Sequence, residues 1–143
     1  MKVVFFDIDG VLNHYGGDYL ESSHINLFNE LWVKTNALFV MTSSWRIDFH
    51  GSCSLIEKYG GVFPIIGCTP NHLYDESETE KTRGAEIKHW IKDNIQNKTD
   101  FQYIIIDDVE CAISDEQIER FVLTDYKVGF TEKDLEKSVN MFH

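Results

Sequence analysis

Apolar residues gather into five short runs along the chain, and helix-spaced polar segments lie between them. Residues 3–6 form a continuous β-prone run that ends on Asp7, and residues 37–41 form a second that ends on Thr42-Ser43-Ser44. Residues 62–66 are interrupted by Pro64, which cannot donate to a ladder, so this third run is expected at a sheet edge. Residues 103–106 lead into Asp107-Asp108, and the short run 121–123 leads into Thr124-Asp125. Continuous runs of this length suit strands buried on both faces, as in a parallel sheet.

Between the runs the apolar period changes to that of a helix. Ile25, Phe28, Leu31 and Trp32 share one face, with Ser22 or Ser23 as the expected N-cap. Ile87, Trp90, Ile91 and Ile95 share another face. Residues 49–59 form a weaker helical segment, diluted by Gly51, Ser52 and Ser54, and residues 134–142 predict a closing helix entered through Thr131 and Glu132. Strands alternating with helices imply right-handed crossovers. The predicted fold is α/β: a Rossmann-like, doubly wound three-layer α/β/α sandwich around a mostly parallel five-stranded sheet. The 143 residues are expected to form one domain, which would bury roughly 70% of its unfolded surface. Residues 67–82, with Asp75, Glu76, Glu78 and Glu80, read as a solvated connection.

Charge narrows the choice of partners. With 24 acidic and 13 basic residues the formal net charge is −11, which repels polyanions at long range. Tight non-specific nucleic-acid binding and attraction to anionic membranes are therefore disfavoured, although a local basic spot or a bound cation is compatible with the total. No apolar run approaches the ~20 residues of a membrane-spanning helix, and the N-terminal segment reads as a strand rather than a secretory signal. Cys53, Cys68 and Cys111 are odd in number and lack CxxC spacing, which argues against a disulfide framework or a zinc site and points to a reducing cytoplasm.

Ligands of open α/β sheets bind beyond the carboxyl ends of the strands. There this chain carries Asp7-Ile8-Asp9-Gly10, Thr42-Ser43 and Asp107-Asp108. Carboxylates converging from distant strands repel one another unless a cation lies among them. A hard ion such as Mg²⁺ suits an all-oxygen donor set.

The run Phe5-Phe6-Asp7-Ile8-Asp9-Gly10-Val11-Leu12-Asn13 resembles the first motif of the haloacid-dehalogenase-like (HAD) hydrolase superfamily. Val40-Met41-Thr42-Ser43 is similar to its second motif, and Ile104-Ile105-Ile106-Asp107-Asp108 to its fourth. Lys81 or Arg83, before Gly84-Ala85-Glu86-Ile87, matches the basic third motif; Arg83 has the following spacing found in several relatives. Ser43-Ser44-Trp45-Arg46 and Gly129-Phe130-Thr131 further resemble a capless branch that includes RNA-repair-associated phosphatases, the Swiss army knife HAD domains.

The resemblance implies a Mg²⁺-dependent phosphatase. Asp7 would be the nucleophile that forms an aspartyl-phosphate, and Asp9 the general acid and base. The metal would be held by Asp7, the Asp9 backbone carbonyl and Asp108, with Asp107 as a ligand or an orienting neighbour. Thr42 or Ser43 would bind a phosphoryl oxygen, and Lys81 or Arg83 would offset charge on the nucleophile and the phosphoryl group. Gly10, Ser43 and Arg46 are candidates for substrate binding, with Arg46 equally open to a surface ion pair. Trp45 is expected to pack, and His24, His50, His72 and His89 to lie on the surface; His14 and Tyr15 follow the first motif in an expected loop.

The intervals between motifs leave no room for a cap domain. An open site admits a small phosphoester, a nucleotide or a bulky substrate such as a nucleic-acid end, or it borrows a lid from a second subunit or protein partner. The alternatives are a repair subunit that works only in complex and a regulatory binding module.

Overall fold

The structure is a computed structural model and describes residues 1–14, 19–75, 77 and 82–142. Tyr15, Glu76, Glu78, Glu80 and Lys81 lie outside the described residues. Five strands, β1 (Lys2–Phe6), β2 (Leu38–Met41), β3 (Ile65–Cys68), β4 (Gln102–Asp107) and β5 (Phe121–Leu123), form one sheet in the order β3-β2-β1-β4-β5. Every pairing is parallel. Among the described residues five α-helices accompany it: α1 (Ser22–Thr35), α2 (Phe49–Lys58), α3 (Arg83–Asn94), α4 (Asp115–Glu119) and α5 (Glu132–Met141). This is the expected Rossmann-like α/β arrangement, and no cap domain is evident among the described residues.

Side-chain alternation along the strands divides the core in two. Val4, Phe6, Phe39, Met41, Ile104 and Ile106 face one layer with Ile25, Phe28 and Leu31 of α1, Ile56 of α2 and Leu135 of α5. Val3, Phe5, Val40, Tyr103 and Ile105 face the other, against Ile87 and Trp90 of α3. In the first layer Phe28 meets Phe6, Phe63 and Phe130 edge-on at ring-centroid distances of 5.6, 5.3 and 4.9 Å, an arrangement favoured by the ring quadrupoles.

Several local expectations shift. The N-cap of α1 is Glu21, without a side-chain cap bond, rather than Ser22 or Ser23, which fall inside the helix. The third run does supply an edge strand, but β3 begins after Pro64 and Val62 is exposed; the Pro64 carbonyl accepts from Phe39 N–H as the strand starts. The polar connection is correspondingly shorter, because Gly67 and Cys68 belong to β3 and His72–Tyr74 forms a 3-10 turn. Helix α5 starts two residues earlier than expected because Thr131 and Asp134 close a capping box. Two histidines expected on the surface are buried: His24 bonds the Phe130 carbonyl, and His72 packs against His89. No described helix is long and apolar enough to cross a membrane.

Candidate active site

Sheet order and register locate the site. The chain moves from β1 to β2 on one side and returns to β4 on the other, so a crevice opens beyond the carboxyl ends of β1 and β4. Phe6 pairs with both Met41 and Ile106, so the next residues, Thr42, Asp7 and Asp107, stand level at adjacent tips. The backbone bonds Asp7 N–H to the Ile106 carbonyl (3.0 Å) and Thr42 N–H to the Phe6 carbonyl (2.9 Å) hold that level. Because alternation places Val40, Phe5 and Ile105 toward α3, the residues two further on face α3 as well.

Helix α3 meets them with Arg83, its first residue. Thr82 caps the helix by accepting from Ala85 N–H at 3.2 Å. One guanidinium nitrogen, Nη1, lies 2.8 Å from Asp7 Oδ2 and 3.0 Å from Asp107 Oδ2. Asp107 is fully buried and also accepts from Val109 N–H at 3.0 Å. Asp7, Asp107 and Asp108 each offer an oxygen within 4.8 Å of the others. Asp108 is the most open of the three, and its carboxyl is within hydrogen-bonding reach of both neighbours.

Burial leaves the carboxyl pKa values of the three acids raised despite the cation beside them. Burial pushes Asp7 up to about 6, the Asp107 charge adds to this, and Arg83 opposes it. Burial likewise raises Asp107 and Asp108. For Arg83 burial works against the charge, but the two aspartates outweigh it and raise its pKa. Buried Asp7 Oδ1 and Thr42 Oγ1 have no hydrogen-bond partner among the described residues. An all-oxygen cluster with a buried, unpartnered carboxylate oxygen fits a hard divalent cation.

Asp9 lies outside the carboxylate cluster and is exposed. Its two oxygens accept from Trp45 Nε1 at 3.1 Å and Asn13 Nδ2 at 3.0 Å. Gly10 has φ +77°, and a Cβ there would stand 2.5 Å from Asp108 Oδ2. Its N–H donates to Asn13 Oδ1 (2.9 Å), and its carbonyl accepts from Thr124 Oγ1 (2.8 Å). Thr42 and Ser43 differ: the Ser43 hydroxyl accepts from Trp45 N–H at 3.2 Å, whereas the Thr42 hydroxyl is unspent. Arg46 turns to Glu86 instead, with Nη2 2.8 Å from Oε2 in a pair buried on both sides. It also donates to the Thr42 carbonyl and Thr69 Oγ1. Glu86 additionally accepts from His72 N–H at 2.8 Å.

Asn13, Thr124 and Glu86 join the site without a role assigned to them by the sequence pattern. Asn13 had a signal, its position at the end of the first motif, and Thr124 had another, its position at the tip of the fifth strand. Glu86 had none, since its partner is 40 residues away. Trp45, expected to pack more readily than to stack on a base, donates from its indole N–H to Asp9.

Fold and site together define a HAD-like α/β domain, with no cap domain among the described residues. The family model described as the HAD domain in Swiss Army Knife RNA repair proteins matches residues 3–135, and the chain belongs to that family. No curated protein and no solved structure matches it.

Proposed function

We propose that the 143 residues act as one Mg²⁺-dependent phosphomonoester hydrolase domain working through an aspartyl-phosphate on Asp7. The observation that carries this reading is the buried Asp7 carboxylate, with one oxygen unpartnered and the other on Arg83, inside a cluster of three acids.

Asp7, Asp108, Asp107 and the Asp9 backbone carbonyl would hold the metal. When bound, Mg²⁺ would neutralise charge on the carboxylates and on the phosphoryl oxygens. An Asp7 oxygen attacks phosphorus in line, the P–O bond to the leaving group breaks, and the protonated Asp9 carboxyl gives its proton to the departing oxygen. Asp9, now a carboxylate, takes a proton from the water that attacks the phosphoenzyme; inorganic phosphate leaves and Asp7 is regenerated. Exposure of Asp9 suits proton exchange with solvent, while Trp45 and Asn13 fix its orientation. The unspent Thr42 hydroxyl is the better placed of the Thr42–Ser43 pair to donate to a phosphoryl oxygen. Arg83 is tied to both Asp7 and Asp107, and it limits their mutual repulsion before substrate arrives. Arg46 acts as scaffold beneath Thr42 rather than as a substrate clamp, because its charge is spent on Glu86.

The test is hydrolysis of p-nitrophenyl phosphate with Mg²⁺ and with EDTA, beside Asp7→Asn. Activity that needs both the metal and Asp7 is expected; full activity of Asp7→Asn in a clean preparation would remove the covalent mechanism. The family description favours a phosphorylated nucleic-acid end as substrate. It also favours a second reading, a repair component that works only in complex. Turnover of an end-phosphorylated oligonucleotide that appears only with an added protein partner would select that reading.

A further inference from the structure

In a chain of net charge −11, one groove is basic. It runs beside α3 and the start of β4, has a volume of about 450 Å³, and is lined by Lys88, Lys92, Lys98, Arg120, Phe101 and Tyr103 among others. Glu116 is the one carboxylate among its lining residues. That volume falls in the usual range of ligand sites.

The lysines are not balanced from within. Lys88 and Lys92 are one helical turn apart on α3, where like charges repel. The positions three and four residues to either side of them carry Gly84, Ala85, His89, Ile91, Ile95 and Gln96, and no acid, in a chain with 24 acidic residues. Lys98 is exposed on the loop that leads into β4. None of the three lysines makes an ion pair among the described residues.

Beside these charges lies an aromatic stack. Phe101 and Tyr103 are stacked with centroids 5.6 Å apart and 22° between their planes, and the Arg120 guanidinium lies 5.0 Å from the Tyr103 centroid. Tyr103 is buried, whereas Phe101 is only half-buried and lines the groove. Cations that follow a backbone, next to an aromatic face that accepts any base, are the pairing that single-stranded nucleic acid requires. Only one end of the groove reaches toward the carboxylate site: Gln117, another lining residue, donates to the Gly84 carbonyl at 2.9 Å, and Arg83 precedes Gly84, whereas Lys98 and Phe101 lie before β4, whose far end carries Asp107.

We propose that this groove binds a single-stranded oligonucleotide, with phosphates on Lys88, Lys92 and Lys98 and a base on Phe101. The long-range repulsion of the acidic surface makes such binding local and salt-sensitive rather than general. The inference concerns binding alone and does not depend on the hydrolytic reading of Asp7.

The experiment is fluorescence anisotropy of the full chain in EDTA with a labelled, unphosphorylated mixed-sequence RNA octamer, at 50–200 mM salt; these conditions are chosen as roughly those in which counterion release is measurable. Lacking a terminal phosphate and a metal, the assay leaves the phosphohydrolase question untouched whichever way it falls. Saturable binding is expected, with a log–log salt slope of about −2 for three phosphate contacts. Lys88→Ser/Lys92→Ser is expected to flatten the slope by about 1.4, and Phe101→Leu to weaken binding about tenfold. Both variants are checked by thermal melting; should Phe101→Leu not fold, the exposed lysine pair decides. The proposal is overturned by no saturation up to ~1 mM, by a lysine variant that binds and responds to salt as the parent does, or by AMP or tripolyphosphate competing as well as the octamer at equal phosphate.

Discussion

Replacing Asp7 by asparagine is expected to stabilise the metal-free protein, and the size of the effect follows from the site. Burial and the Asp107 charge raise the Asp7 pKa from 3.8 to about 6. The folded state therefore binds more protons than the unfolded state between those values, and stability falls as pH rises from about 4 to about 6. Above about pH 6 the full deficit is present: roughly two tenfold steps in ionisation at about 1.4 kcal/mol each, or ~3 kcal/mol. Asparagine matches the shape of the protonated acid and carries no charge, so Asp7→Asn is expected to exceed the parent by ~3 kcal/mol at pH 7.5. Near pH 4 the two converge, because the parent is then neutral at the same position. Urea unfolding in EDTA at both pH values, followed by tryptophan fluorescence and far-UV dichroism, measures the gap. Saturating Mg²⁺ then narrows it from the other side, since binding to the folded state stabilises only the chain that keeps the ligand. An Asp7→Asn protein less stable than the parent at pH 7.5, or a gap indifferent to pH, would refute the electrostatic account.

Removing the cation should do the opposite. Arg83→Met leaves Asp7 and Asp107 without their shared partner and is expected to cost about 2 kcal/mol in urea unfolding at pH 7.5, less at pH 4.5. Because a single nitrogen bridges both carboxylates, Arg83→Lys should recover much of that loss. At Gly10 a Cβ would press on Asp108 and φ +77° disfavours any L side chain. Gly10→Ala is expected to cost about 1–2 kcal/mol and to weaken Mg²⁺ about tenfold in a thermal-shift titration. Arg46→Met strands Glu86, which is 3% exposed, and should destabilise by about 3–5 kcal/mol. The double variant with Glu86→Gln should lose less than the two single losses combined; a stable Arg46→Met with a greatly raised KM would instead return Arg46 to the substrate.

The strands were legible in the sequence because a parallel sheet buried on both faces leaves continuous apolar runs, and each of the five runs yields a strand. The displaced third strand shows where composition misleads: Val62 is apolar and β-prone, yet it lies before Pro64 and is exposed. Helix α4 was not predicted, since five residues capped by Ser114 are too short for a helical period to register. At the site, Asp7, Asp107 and Asp108 could be brought together on paper because each ends a strand. What could not be read was which neighbour each polar group would spend itself on. Arg46 is drawn to Glu86 across 40 positions, and Ser43 turns to the adjacent backbone while Thr42 does not. Those choices depend on packing between elements, to which local pattern is blind.

The site's geometry is in the end a property of the core. Phe6 pairs in register with Met41 and Ile106, and all three side chains are buried in the layer formed with α1. Fixing those residues toward α1 forces the next ones, Asp7, Thr42 and Asp107, toward α3, where Arg83 begins the helix. A slip of one residue in either pairing would put polar side chains against Phe28 and bring apolar ones to Arg83. Such a slip is opposed by the burial of each large apolar side chain, about 1.5–3 kcal/mol apiece. The hydrophobic register therefore supplies the force that holds mutually repelling carboxylates together, and the pKa of Asp7 is raised first by its burial and then by the charge of Asp107. A cation that entered the cluster would relieve the repulsion without moving a strand.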